Sequence, residues 1–112
     1  MYQGIMMDDA NKILDQLHSE IMNELDRLGY YTTHGYTDSK SAIGILCGDV
    51  YITIYRQTIT YPDETVYQGD AYITHSEFPE HGTKISCTDP QYLEKILEEV
   101  IRMKKSYADQ NP

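Results

Sequence analysis

The hydrophobic period of this sequence changes twice along the chain, and that change limits the folds it can adopt. Between residues 9 and 28, apolar residues recur every three or four positions, which is the spacing of one helix face. From residue 30 to 87, the pattern becomes short β-branched and aromatic runs separated by turn residues, as in β-strands. Residues 90–106 return to helical spacing. The sequence therefore predicts an α+β fold with a helix at each end of a sheet.

Both predicted helices carry recognisable end signals. Asp8 or Asp9 fits the N-cap of the helix over 9–28, and Gly29 fits the left-handed position after its last leucine. Asp89 is the predicted N-cap of the helix over 90–106, with Pro90 in its first turn and a frayed tail over 107–112. The apolar stripes are Ala10, Ile13, Leu14, Leu17, Ile21, Leu25 and Leu28 in the first helix, and Leu93, Ile96, Leu97, Val100 and Ile101 in the second.

The segment between the helices predicts four or five strands in an antiparallel meander, because short turns join consecutive runs. Gly48-Asp49 is predicted as a two-residue hairpin turn and Gly69 as a bulge. Since each helix has one apolar face, both are expected to pack on one side of the sheet. This gives a two-layer α-β(4-5)-α arrangement and a single domain over 1–112. The predicted strands are 30–34, 42–47, 50 to about 60, 66–74 and a short edge strand over 84–87, with a loop over 76–83.

The strand beginning at Val50 alternates apolar and aromatic residues, which assigns its side chains to two faces. Ile52 and Ile54 are predicted to face the helices, and Tyr51 and Tyr55 to face the other side. The chain has eleven Tyr, one Phe and no Trp. Tyrosine is enriched at protein interfaces, so the open face is predicted to bind a partner or a second copy of the chain. The alternative is that tyrosine simply stabilises an exposed sheet through cross-strand pairs.

The formal net charge is −9, and residues 57–83 hold five acids without any Lys or Arg. Such a surface attracts a basic partner and disfavours direct nucleic-acid binding, which needs a Lys/Arg surface. The alternative is that the negative charge only favours solubility. The predicted contact residues are Tyr51, Tyr55, Tyr61, Asp63, Glu64, Tyr67, Asp70, Tyr72, Glu77 and Glu80.

Catalytic and cofactor motifs are missing from the sequence. It contains no phosphate-binding loop, GxGxxG, HExxH or GxSxG pattern, and the spacing of His75 and His81 matches no closed zinc site. No apolar run is long enough to span a membrane, and the first residues do not resemble a signal peptide. Cys47 and Cys87 are expected to be buried thiols in a reducing cytoplasm. We therefore predict no enzyme activity, no catalytic residues, no cofactor, no metal and no membrane contact.

These observations favour a small, acidic, non-enzymatic binding protein. The predicted function is inhibition of a larger basic or nucleic-acid-binding protein, by analogy in size and charge with phage anti-defence (anti-CRISPR) and immunity proteins. One alternative is an oligomeric binder or sponge for a small ligand such as a nucleotide, with tyrosine stacking on a base. Another is an acidic, dimeric chaperone of the secretion type.

Overall fold

Seven elements make up the described part of the protein, in the order helix, five strands, helix. The computed structural model describes the backbone of residues 2–35, 37 and 41–110. The described side chains are those of residues 12–35, 37, 41–66, 68–78 and 80–105. The elements are α1 (Tyr2–Arg27), β1 (Thr33–Gly35), β2 (Ala42–Cys47), β3 (Val50–Thr60), β4 (Thr65–His75), β5 (Phe78–Ser86) and α2 (Tyr92–Gln110).

The sheet is an antiparallel meander in the order β1-β2-β3-β4-β5, which confirms the predicted α+β architecture. The hairpin between β2 and β3 closes with Cys47 opposite Val50, so its loop has the two predicted residues. Gly48 there has a φ of 63°, a conformation that glycine adopts without steric cost.

One face of the sheet and one stripe of each helix form the hydrophobic core. Ile52 and Ile54 of β3 are fully buried, as is Ile73 of β4 opposite Ile52. Ile21 of α1 and Ile96 of α2 are equally buried in the same cluster. Both helices therefore cover the same face, as the single stripe on each helix predicted. Complete burial of an isoleucine contributes about 1.5–3 kcal/mol, so this layer dominates the stability of the fold.

Helix α1 begins at Tyr2, so the predicted start at residue 9 is wrong. Asp8 and Asp9 lie inside the helix rather than capping it. No proline precedes them, and methionine and alanine nearby favour helix, so nothing in the sequence stops the helix at the aspartates.

The end of α1 follows the prediction. Gly29 has a φ of 92°. The Tyr30 N–H donates to the Leu25 carbonyl at 3.1 Å, and the Gly29 N–H donates to the Asp26 carbonyl at 3.0 Å. This bonding pattern is a Schellman motif, which satisfies the last carbonyls of the helix. Leu28, which the stripe included, lies beyond the helix and is 49% exposed.

Helix α2 spans Tyr92–Gln110 rather than 90–106, so the predicted tail is helical as far as residue 110, and residues 111–112 lie outside the described part. The Asp89 carboxylate accepts the Gln91 N–H at 2.9 Å, which is the bond of an N-cap. Ile101 is 43% exposed, whereas Met103 is fully buried. The stripe continues from Val100 to Met103 because a helix repeats every three to four residues.

Three sequence predictions about the sheet are wrong. The predicted loop over 76–83 is mostly β5, whose proline and charged residues are tolerated because an edge strand has one unpaired side. Gly69 pairs with Arg56 in regular register, and the irregularity lies between Ile73 and His75 instead. The first strand is Thr33–Gly35 rather than 30–34.

Strands β3 and β4 are longer than the strands on either side of them. Each has 11 residues. The pairing of β2 with β3 ends at Arg56, whose N–H donates to the Ser41 carbonyl at 2.8 Å, and β5 pairs with β4 only from Asp70 onward. Residues 57–68 therefore form a two-stranded ribbon without a further described strand at either edge, which we call the arm.

Candidate functional site

The register of the sheet determines which polar and aromatic side chains share the face away from the helices. Tyr55 lies opposite Asp70, and Tyr72 lies opposite Lys84. These positions alternate with the buried isoleucines of the same strands, so their side chains lie on the other side of the sheet. Tyr51 shares this face. We call it the open face.

Tyr51 covers the backbone of two neighbouring strands. A Cβ atom on Gly44 would lie 2.3 Å from the Tyr51 hydroxyl oxygen, and one on Gly35 would lie 2.7 Å from its ring. The ring therefore occupies the space that side chains on β1 and β2 would need. Burial raises the pKa of Tyr51, and the neighbouring Tyr55 adds to that shift. Tyr51, a predicted contact residue, thus packs on the sheet itself.

Tyr72 packs on the sheet in a similar way, but toward the other edge. A Cβ on Gly82 of β5 would lie 2.2 Å from the Tyr72 ring. The glycine thus gives the ring a flat backbone surface to rest on, which fixes the orientation of Tyr72.

A cavity of about 240 Å³ lies on the open face and is lined by Tyr55, Gln57, Asp70, Tyr72 and Lys84. We call it the tyrosine pocket. The Asp70 side chain is only 12% exposed, and the Lys84 ammonium lies 3.6 Å from its carboxylate. Removing a carboxylate from water is unfavourable unless a cation or hydrogen bonds compensate for the lost hydration. The pocket therefore holds a largely buried negative charge beside two tyrosines.

Sequence reasoning found three residues of the tyrosine pocket and missed two. Tyr55, Asp70 and Tyr72 were predicted contact residues, and the register brings them together. Gln57 and Lys84 were not predicted. Lys84 lies on the predicted edge strand over 84–87, but it joins the pocket only through the register of β5 on β4, which places it opposite Tyr72 and which the sequence pattern did not predict.

The tip of the arm holds a second group of predicted residues. The Tyr61 N–H donates to the Glu64 carbonyl at 2.8 Å and closes the hairpin. Tyr61 is 50% exposed, and Asp63 and Glu64 are exposed beside it. The Tyr67 side chain lies outside the described residues. The tip is therefore an acidic turn with one accessible aromatic ring.

Glu77 and Glu80 lie away from the arm tip, so the acids of residues 57–83 do not form one patch. Glu77 is in the turn after β4, and Glu80 is on β5 next to that turn. The length of β4 separates Glu64 from Glu77 by roughly 35 Å at about 3.3 Å per residue. Asp70, midway between them, is buried and paired with Lys84. Acids that are close in sequence thus lie at opposite ends of the hairpin.

Three of the four histidines, His18, His34 and His75, have ring contacts, whereas His81 is exposed. His75 is 4% exposed, its Nδ1 accepts the Glu77 N–H at 3.2 Å, and its ring lies 6.1 Å from that of Phe78. His18 and His34 face each other with ring nitrogens 3.4 Å apart. Burial lowers the pKa of His18, and the charge of His34 lowers it further. Within the residues that the structure describes, no three His, Cys, Asp or Glu side chains are grouped as metal ligands.

The second cavity, of about 420 Å³, lies between the two helices and the end of the sheet and contains Cys87. Burial, followed by the nearby charge of Asp70, raises the pKa of this thiol to about 11. The Tyr92 hydroxyl in the same cavity donates a hydrogen bond to the Glu20 carboxylate, and burial followed by this bond raises the pKa of Tyr92. Burial also raises the pKa of the Cys47 thiol. Both thiols are protonated at neutral pH, the less nucleophilic form.

Neither of the two described helices has an apolar stretch that reaches the length a bilayer requires. Two sites thus stand out in the described part of the chain, the tyrosine pocket on the open face and the acidic tip of the arm. No family model, curated protein or solved structure matches the chain, so the function has to be argued from these two sites alone.

Proposed function

We propose that this chain is a non-enzymatic binding protein that docks on a larger protein with a basic surface. Its contact region comprises the arm, residues 57–68, and the adjoining open face. The observation that carries the proposal is the length of the arm. Two strands continue beyond the points at which their described neighbours in the sheet stop pairing, and they end in an exposed turn with Tyr61, Asp63 and Glu64.

The arm adds little stability to the isolated protein, but it offers a partner surface and strand edges to bind. A two-stranded ribbon is at best marginally stable in water, since most of its residues gain little burial. Gln57, Thr58 and Thr60 are exposed along it. A partner that covers the ribbon would bury these residues and the strand edges that pair with no described strand, which is the mode of strand addition to a sheet edge. The whole chain has a net charge of −9, and the arm carries Asp63 and Glu64 without any Lys or Arg, which supports a basic partner.

We further propose that docking inhibits the partner protein. A small domain that occupies the basic surface of a nucleic-acid-binding protein competes with the nucleic acid for the same charges. Phage anti-defence proteins and immunity proteins are the classes whose size and charge resemble those of this chain, which is a likeness of class only. The proposal places the protein in the cytoplasm, where the unbonded thiols of Cys47 and Cys87 are kept reduced.

A capture experiment with matched charge reversals tests the proposal. Tagged wild-type protein and the variant Asp63→Lys/Glu64→Lys are incubated with lysate at low and high salt, and the retained proteins are identified by mass spectrometry. The control is Glu94→Lys/Glu98→Lys, which reverses two exposed acids on α2 and changes the net charge by the same amount. We expect a basic protein to be retained by the wild type and the control and lost from the arm variant.

The association rate measures the same effect. With the retained protein immobilised, the arm variant should associate about tenfold more slowly than the control at low salt, because complementary charge accelerates encounter. Equal rates for the two double variants, or retention of no protein by the wild type at low salt, would reject the arm as the docking surface.

A further inference from the structure

We infer that the tyrosine pocket on the open face receives an arginine side chain of the protein partner, with Asp70 as the anion that pairs with it. This inference rests on the proposed function, since it names the chemistry by which a basic partner is recognised. It concerns a different part of the molecule from the arm tip, so the two can be tested separately.

The charge in the pocket is incompletely compensated. The Asp70 side chain is 12% exposed, and the Lys84 ammonium stays 3.6 Å from its carboxylate. A charge-assisted hydrogen bond is typically about 2.7–2.9 Å long. Lys84 is itself 63% exposed, so its ammonium remains largely hydrated and can move aside at little cost. A second cation that reaches the Asp70 carboxylate at hydrogen-bond distance would therefore replace the weak Lys84 contact with a stronger one.

The walls of the pocket favour a planar cation. Tyr55 and Tyr72 line it together with Asp70. An aromatic face attracts a cation, and a guanidinium stacks on such a face while its N–H groups bond a carboxylate in pairs. Tyr72 is held in place by its contact with Gly82, whereas Tyr55 is 46% exposed and can close over an incoming side chain. A lysine would supply the charge without the stacking or the paired bonds.

The size of the pocket favours a side chain over a free small molecule. Its volume of about 240 Å³ is below the roughly 300 Å³ at which small-molecule sites usually begin. The buried carboxylate also disfavours a phosphate, so a nucleotide would meet repulsion there. An arginine carried on a partner protein needs room only for its head group and the end of its stem.

The test is a titration of the full chain with acetylated, amidated arginine, followed by the amide NMR signals of residues 55–57, 70–72 and 84. Matched titrations use the lysine and citrulline derivatives and adenosine monophosphate. Citrulline has the shape of arginine without its charge. We expect saturable shifts with arginine at a Kd on the order of 1–10 mM, at least about fivefold weaker binding of lysine, and no saturation with citrulline or the nucleotide. Equal binding of arginine and citrulline, or saturation by the nucleotide instead, would overturn the inference.

Two substitutions identify the atoms involved. Asp70→Asn should abolish saturable arginine binding. Lys84→Gln should tighten it by about three- to tenfold, because it removes a competing cation beside the carboxylate. Lys84 is exposed, so this variant leaves the core intact even if Asp70→Asn perturbs folding. Glu80→Gln on the same strand is the control and should change nothing, since Glu80 is exposed and outside the pocket. Unchanged or weaker binding in Lys84→Gln would contradict the assignment.

The results for the two sites can be separated. If the pocket does not select arginine while reversal of Asp63 and Glu64 still removes the captured partner, the docking function stands and the arginine site is wrong. If the pocket selects arginine but the arm reversal has no effect on capture, the arm is wrong and the pocket remains the point of recognition.

Discussion

The two halves of the β3–β4 hairpin share one sequence pattern and have different surroundings. The base, residues 50–56 and 69–75, has β2 and β5 beside it and the helices on one face. The arm, residues 57–68, has the same alternation of isoleucine or valine with threonine and tyrosine, but only its own two strands pair. Ile52 in the base is fully buried, whereas Ile59 in the arm is partly exposed.

The difference between base and arm shows that alternating apolar and polar residues predict a strand but do not predict which elements pack on it. In the base, the helices cover one face, and on the other face Tyr51 and Tyr72 pack on glycine backbone while Tyr55 stays 46% exposed. In the arm, the same residue types remain accessible. Stability is therefore concentrated in the base, and the arm contributes mostly exposed or partly exposed side chains.

The largest expected effect contrasts two isoleucines on the same strand. Ile52→Ala should lower the free energy of unfolding by about 2–5 kcal/mol, because it removes buried methyl groups and leaves a cavity. Ile59→Ala should lower it by less than about 1 kcal/mol, because water already reaches that side chain. Urea unfolding monitored by circular dichroism measures both values.

The arm would not be a separate, partner-facing region if Ile59→Ala cost as much as Ile52→Ala. That result would mean that the arm is packed as firmly as the base. If Ile52→Ala unfolds the chain outright, Ile52→Val provides a smaller core deletion, with an expected loss of about 0.5–1.5 kcal/mol.

The core of this fold could be predicted from the sequence because the patterns that specify it are local. The stripe of α1 from Leu14 to Leu25, its Gly29 terminus and the two-residue turn at Gly48 depend on neighbouring residues alone, and the structure confirms each of them. The Ala10 side chain lies outside the described residues. The start of α1 was misjudged because aspartate is also accepted within a helix. Strand β5 was misjudged because an edge strand resembles a loop in composition.

The candidate site was only partly readable because it depends on pairing between strands. Residues 57–83 look like one acidic segment, yet the turns of the hairpin place Glu64 and Glu77 at opposite ends. Lys84 reaches the tyrosine pocket through the β4–β5 register, which no local pattern encodes. The arm could not be predicted from the sequence either, because its limits are the points at which β2 and β5 stop pairing with β3 and β4.

A smaller effect is expected where the base is packed on its open side. Gly44→Ala should lower stability by about 1–2 kcal/mol, because its methyl group would lie 2.3 Å from the Tyr51 hydroxyl and displace the ring. In a Tyr51→Ala background the same change should cost less, since the close contacts with the ring are gone and only the Gly35 carbonyl oxygen, at 3.0 Å, remains tight. Urea unfolding of the four proteins in this double-mutant cycle gives the coupling energy. Strictly additive costs would show that Tyr51 does not pack on β2, and the contrast between base and arm would then hold for the helix side only.

The smallest effect concerns a charge contact that ties α2 to β5, the strand beside the base. The Glu99 carboxylate accepts hydrogen bonds from Arg102 and, at 3.0 Å, from the Thr83 hydroxyl of β5. The bond from Arg102 is the main cause that lowers the pKa of Glu99 below its usual 4.5, with burial opposing it. A carboxyl whose pKa is lower in the folded state stabilises the fold above its unfolded pKa, and this contribution is lost as the pH falls through the folded pKa.

Between pH 7 and pH 3, Glu99→Gln should therefore lose less stability than the wild type. The difference should be under about 1 kcal/mol, because the contact is near solvent. Urea midpoints at both pH values test this against Glu94→Gln, an exposed residue of the same helix that controls for the loss of one negative charge. If Glu99→Gln and the wild type show the same pH dependence of stability, α2 is held to the sheet by its apolar stripe alone.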